Sequence, residues 1–155
     1  MKSIKFFIGS GFGFGLIPFA PGTWGSLTAL VPIYFILETG NLFYIPAFVI
    51  ITSLLTLWVC STCEEVWGDD PGKLVMDEWA GQALTFTGLT LIGDLQTDLL
   101  ILSAGFVFFR LFDILKPLGI NKLQKYGGGA GILLDDLLAG FYALICLKTL
   151  IFFWS

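Results

Sequence analysis

The sequence predicts an all-α fold: a compact helical membrane protein of about five to six helices, several of them short or interfacial, in a single domain over 1–155. Three observations carry this expectation. The chain is 56% hydrophobic and only 13% charged, against about 25% charged residues in an average soluble domain. Its mean hydropathy is +0.88. Its apolar residues fall in long runs, with most charges at the ends of those runs.

The first run, about 3–17, is glycine-rich and stops at Pro18. Its start, MKSIKFFIGSGFGFG, has the two lysines of a signal peptide but lacks an A-x-A site, so it is read as retained. The second run covers about 25–37 and the third about 43–62, joined by ETGNL. The fourth covers about 76–92. The fifth covers about 98–115 and leads into KPLGINKLQKYGGGAG; a sixth covers about 131–154. Several are shorter than the roughly 20 residues that cross a bilayer, so they tilt, lie in the interface or extend through their flanks. LVMDEWAG and ILLDDLLAG echo each other: Gly81 and Gly140 each follow an acid, Asp77 and Asp136, by four residues. The echo is too short to count as a repeat.

Charge gives an orientation. Lys2, Lys5, Lys73, Lys116, Lys122 and Lys125 lie at the N-terminus or in two connections, whereas ETGNL and GDLQTD carry no lysine or arginine. The positive-inside rule then places the N-terminus, 63–76 and 116–130 in the cytoplasm. Lys148 is the exception, near the outer end of the last run, where it snorkels to the interface.

Missing residues narrow the chemistry. Without histidine there is no histidine base, phosphohistidine or histidine metal ligand. Cys60 and Cys63 have CxxC spacing, but no second pair completes a zinc site, so these and Cys146 read as structural. No arginine follows either cysteine as a thiolate phosphatase loop requires. The net charge of −4 gives no nucleic-acid surface, and no GxxxxGK[ST] loop offers a nucleotide site.

Under this topology Thr23, Asp77, Glu78, Asp113, Lys116, Asp135 and Asp136 all fall near the cytoplasmic ends of their helices, with Arg110 one turn deeper. Five acids, two bases and a hydroxyl then converge at one depth, where ionisable groups are rare and usually functional. Arg110 and Asp113 share a helix face, and their ion pair is the plain reading of both. Either acid pair can also cap a helix start, where the dipole favours negative charge. Yet the acids outnumber the bases. Carboxylates without histidine or thiolate suit a hard cation, especially magnesium, and the nearby cations suit a phosphate. GSGFGFGLIPFAPGTWGS, with Thr23 and Ser26, and GGGAG at 127–131 offer backbone amides to a phosphate, although glycine equally serves close helix packing.

At these residues the sequence resembles the bacterial phosphatidylglycerophosphatases of the A type. The resemblance rests on PFAPGTWGSL (18–27), VMDEWAG (75–81), FRLFDILKP (109–117) and GGGAGILLDDLLAG (127–140), in order across nearly the whole chain. It implies a multi-pass enzyme of the bacterial inner membrane whose site faces the cytoplasm. It further implies a magnesium-dependent phosphatase that converts phosphatidylglycerophosphate to phosphatidylglycerol and phosphate, with no nucleotide or nucleic acid as partner. Carried over by motif, Asp77, Glu78, Asp113, Asp135 and Asp136 form the polar core, accompanied by Arg110, Lys116 and Thr23. Asp77, Glu78, Asp135 and Asp136 are then the expected magnesium ligands. Lys116 and Arg110 are expected on the phosphate oxygens, and Asp113 orients Arg110, ligates the metal or activates water; direct water attack and an aspartyl-phosphate intermediate are both compatible with this set. The competing readings are an ion or proton transporter, another lipid phosphotransferase such as a kinase, and a structural or regulatory membrane subunit.

Overall fold

A computed structural model describes residues 2–68, 71–117, 119–123 and 127–154, with backbone alone at 121–122. Lys125, the side chain of Lys122, and Asp69 and Asp70 of the connector therefore lie outside the described residues. The helices are α1 (Lys2–Gly9), α2 (Pro21–Glu38), α3 (Tyr44–Trp67), α4 (Met76–Leu84), α5 (Leu95–Leu115), the single turn α6 (Ile120–Leu123) and α7 (Gly128–Trp154). Among the described residues, no strand is present.

Most helices follow the apolar runs, and the departures have local causes. The first run does not stay helical to Leu16. Gly11, Phe12 and Gly13 all take positive φ (55°, 62° and 99°), which ends α1 at Gly9 and leaves a short 3₁₀ turn at Phe14–Leu16. Helix α2 starts earlier than the run predicts, at Pro21, where a missing N–H costs nothing. Helix α4 is about half its predicted length. It stops at Leu84, and Gly88 and Gly93 then adopt positive φ. The Asp98 carboxylate closes this turn, accepting from the amides of Ile92 (2.8 Å) and Gly93 (3.1 Å). Asp98 is thereby a buried acid with a structural role.

The interior is largely apolar, but the surface is not that of a water-soluble protein. Val31, Phe35, Ile50, Leu54, Val107 and Ile114 are all more than half exposed, while Thr52, Thr56, Asp77, Gln82, Asp135 and Asp136 are buried. Helices α3 and α7 are long and apolar enough to cross a bilayer. The chain is a membrane-associated helical protein: lipid covers its apolar exterior, and polar groups turn inward.

Short helix α4 sits at the centre, packed on α7, α3 and α2. Its closest approach is to α7, where a Cβ on Gly140 would overlap the Gly81 carbonyl and one on Gly81 would lie 2.6 Å from the Asp136 carbonyl. The two backbones touch, as small residues allow in lipid. Cys60 and Cys63 are buried and unbonded, and they pack against Gly129 and Gly9 as small apolar groups. Lys148 reaches over Gly88, in the turn that follows α4.

Candidate active site

Each predicted acid is positioned by a different device. Asp77 and Glu78 occupy the first turn of α4, where the positive end of the helix dipole faces them. Asp135 and Asp136 lie two turns inside α7, which begins at Gly128, so helix capping does not account for them. Arg110 and Asp113 lie one turn apart near the end of α5. Lys116 caps that helix in the left-handed conformation (φ 44°, ψ 48°). Pro117 disfavours the right-handed helical state for the residue before it, and a left-handed non-glycine residue carries strain that surrounding contacts must offset.

These devices bring the five acids together. Asp136 lies within electrostatic reach of Asp77, Asp113, Glu78 and Asp135. Part of the charge is balanced. Arg110 Nη1 lies 2.7 Å from Asp113 Oδ2 and 3.0 Å from Glu78 Oε2, and Lys116 Nζ pairs with Asp135. Ser26 Oγ lies 2.7 Å from Glu78 Oε2 and accepts from Arg110 Nη1 at 3.3 Å. A Cβ on Gly22 would overlap the Glu78 carboxylate, so the PGTWGS segment needs glycine there for α2 to approach α4.

The remaining charge is unbalanced. Asp77 Oδ1 and Asp136 Oδ2 are buried without a hydrogen-bond partner among the described residues. An unpaired carboxylate at such a depth is costly unless a cation, a proton or water meets it. Among the described residues no ready-made group of three or more His, Cys, Asp or Glu ligands is gathered. Two orphaned carboxylate oxygens nevertheless fit a magnesium ion, which usually takes one or two carboxylates and fills its shell with water and substrate phosphate. Of the four expected ligands, Asp77 and Asp136 offer such oxygens, while Glu78 is engaged by Ser26 and Arg110 and Asp135 by Lys116.

Among the described residues no side-chain hydrogen bond joins Thr23 to this network. Thr23 is half-buried in the first turn of α2, and the hydroxyl that reaches the acids is that of Ser26. Gly129 of GGGAG and Gly9, Gly11 and Gly15 of the first segment each meet neighbouring groups at Cβ distance, as packing glycines do. Sequence reasoning missed Gln82. Its side chain is fully buried with neither amide atom partnered. Its i+4 spacing from Glu78, which places it one turn deeper on the same face, was the available signal. Ser26→Ala should destabilise the protein by about 1.5–3 kcal/mol, the worth of hydrogen bonds to charged groups, and lower turnover, whereas Thr23→Val should leave thermal stability unchanged. Melting curves and rates of the two variants check this.

Residues 7–151 match the sequence profile of a family described as phosphatidylglycerophosphatase A. A Haemophilus influenzae phosphatidylglycerophosphatase A is 40% identical over 140 residues, 87% of this chain and 81% of that protein. The Escherichia coli phosphatidylglycerophosphatase A is 33% identical over 132 residues, 84% and 73% of the two chains. A Bacteroides thetaiotaomicron protein whose provisional name is phosphatidylinositol-3-phosphatase is 39% identical over 146 residues, 92% and 90% of the two chains. No solved structure gives a significant match.

Proposed function

The chain belongs to the phosphatidylglycerophosphatase A family, and on that premise we propose that it hydrolyses the terminal phosphomonoester of phosphatidylglycerophosphate, giving phosphatidylglycerol and inorganic phosphate with magnesium as cofactor. The observation that carries this reading is the two unpartnered oxygens, Asp77 Oδ1 and Asp136 Oδ2, in the cluster that also holds Arg110 and Lys116. A phosphate dianion needs such cations, and a hard metal needs such oxygens.

In this mechanism Asp77 and Asp136 would hold the magnesium, and Glu78 and Asp135 would add their charge to the site. When bound, the ion supplies Lewis-acid polarisation of the phosphoryl oxygens and acidifies water. Arg110 binds a phosphate oxygen through the guanidinium edge left free by Asp113 and Glu78. Asp113 fixes that guanidinium by its contact at Nη1. Lys116 swings from Asp135 to the phosphate and offsets the charge that grows on the leaving oxygen. A carboxylate of the cluster accepts the proton of the attacking water. The site lies at headgroup depth on the cytoplasmic side of a bacterial inner membrane, as the lysine distribution favours.

Phosphate release by the detergent-purified protein tests the reading, using phosphatidylglycerophosphate and phosphatidylinositol 3-phosphate side by side, with magnesium or EDTA and without nucleotide. Magnesium-dependent release from phosphatidylglycerophosphate is the expected result. Faster release from the inositol lipid would move the substrate toward the activity named for the Bacteroides relative. Release undiminished by EDTA would remove the metal.

A further inference from the structure

An open apolar groove of about 530 Å³ runs between α2 and α5, lined by Leu27, Val31 and Phe35 on one side and Leu95, Leu99 and Ser103 on the other. We infer that this groove holds one acyl chain of the phospholipid monoester substrate and delivers its phosphate to Ser26, Glu78 and Arg110; the inference rests on the lipid-phosphatase reading above.

Continuity with the site is the first argument. Leu27 follows Ser26, whose hydroxyl bonds Glu78 and Arg110. Ser103 precedes Arg110 by seven residues, two turns on the same face of α5. Among its lining residues Ser103 supplies a hydroxyl and none carries a charge; followed along α5, the Leu27–Ser103 end leads toward Arg110, about 10 Å further on at 1.5 Å per residue, and a chain lying in the groove directs its headgroup that way. Its other end is closed by polar groups. Tyr34 lies within 3.4 Å of Glu38, and both line a small polar pocket with Asp98.

Dimension is the second argument. Leu27 to Phe35 spans eight residues, about 12 Å at 1.5 Å per residue, close to the ~15 Å hydrocarbon depth of one leaflet, half of the ~30 Å core. The volume falls within the ~300–1,000 Å³ range of small-ligand sites.

The lining is the third. Helices that associate in lipid use small residues, as α4 and α7 do at Gly81 and Gly140. This groove is walled by branched and aromatic side chains instead, which suit a flexible hydrocarbon better than a second helix. A chain passing from bilayer to groove gains little from water exclusion, because both surroundings are apolar. Its benefit is orientation of the phosphate.

Two measurements test this. In the first, phosphatidic acid with a photoreactive diazirine on its acyl chain is crosslinked to the intact protein in phosphatidylcholine vesicles. Labelling concentrated on 27–35 and 95–103, and displaced by unlabelled phosphatidic acid but not by added phosphatidylcholine, is the expected result. Even labelling of all lipid-facing helices, or equal competition by phosphatidylcholine, would overturn the inference. In the second, Val31→Trp and Ser103→Trp fill the groove, with Leu54→Trp on the lipid-facing side of α3 as control. The rate on a long-chain phosphomonoester lipid relative to a short-chain, water-soluble analogue should fall in the groove variants, by up to about a hundredfold if the reacting phosphate is misplaced by about 1 Å. An unchanged ratio would count against the groove. Specific groove labelling by a wild-type protein that releases no phosphate would instead sink the enzymatic reading and leave the lipid site standing.

Discussion

Asp136→Asn is expected to lower turnover by about a thousandfold, comparable to the upper range for removing one transition-state-stabilising group from an oxyanion hole, while raising the melting temperature of the metal-free protein. The two effects share one cause. Asp136 is buried on α7, its Oδ2 has no partner among the described residues, and the charges of Asp77, Glu78, Asp113 and Asp135 press on it. Asparagine keeps the shape and removes the charge, so folding no longer carries the desolvation and repulsion of that carboxylate. Magnesium should stabilise the wild type by RT ln(1 + [Mg]/Kd), about 2.7 kcal/mol at a hundredfold excess over Kd, and stabilise the variant much less. Phosphate release and thermal unfolding in detergent, each with and without magnesium, read both effects. Full activity in the variant would remove Asp136 from the machinery. A melting temperature that falls would make it a structural acid like Asp98. Asp98→Ala is expected to behave in that opposite way, because it strips acceptors from the amides of Ile92 and Gly93.

These two aspartates mark the boundary of what the sequence reveals. Helices α3, α5 and α7 were legible because each is an uninterrupted apolar run with no glycine turn inside it; their observed ends, Tyr44–Trp67, Leu95–Leu115 and Gly128–Trp154, extend the runs by a few residues. Helix α4 was not legible in length. What stops it is a turn built from Gly88, Gly93 and a carboxylate six residues beyond Ile92, and that closure is tertiary. The sequence places all five acids near helix ends, and the structure does so for Asp77, Glu78 and Asp113, while Asp135 and Asp136 lie two turns inside α7. The partners of these acids were not legible. Arg110 reaches Glu78 across 32 residues, and Lys116 reaches Asp135 across 19; no spacing rule selects those pairs. Thr23 and Ser26 share a turn of α2, and the choice of Ser26 depends on how closely Gly22 lets that turn approach Glu78.

Gly140→Ala should be among the most damaging single-methyl changes at the described glycines. The new Cβ would overlap the Gly81 carbonyl, which is backbone and cannot rotate away as a side chain does. Helices α4 and α7 must then part. Overpacking of this kind costs about 1–3 kcal/mol where neighbours can adjust, and here the loss should reach the top of that range. Activity should suffer beyond stability. Asp77 and Asp136 each lie four residues before the touching glycines, on the same helix faces, so separating Gly81 from Gly140 widens the carboxylate pair as well. A shift of about 1 Å at a reacting centre costs on the order of a hundredfold in rate. Gly72→Ala is the matched control, since a Cβ there meets nothing within 4 Å. The melting temperature and kcat of both variants decide the matter. If Gly140→Ala melts early but keeps its kcat at low temperature, the glycine contact serves folding alone. If both fall, the shared four-residue spacing in LVMDEWAG and ILLDDLLAG has a physical reason: one methyl-free contact sets the distance between the two acids one turn away.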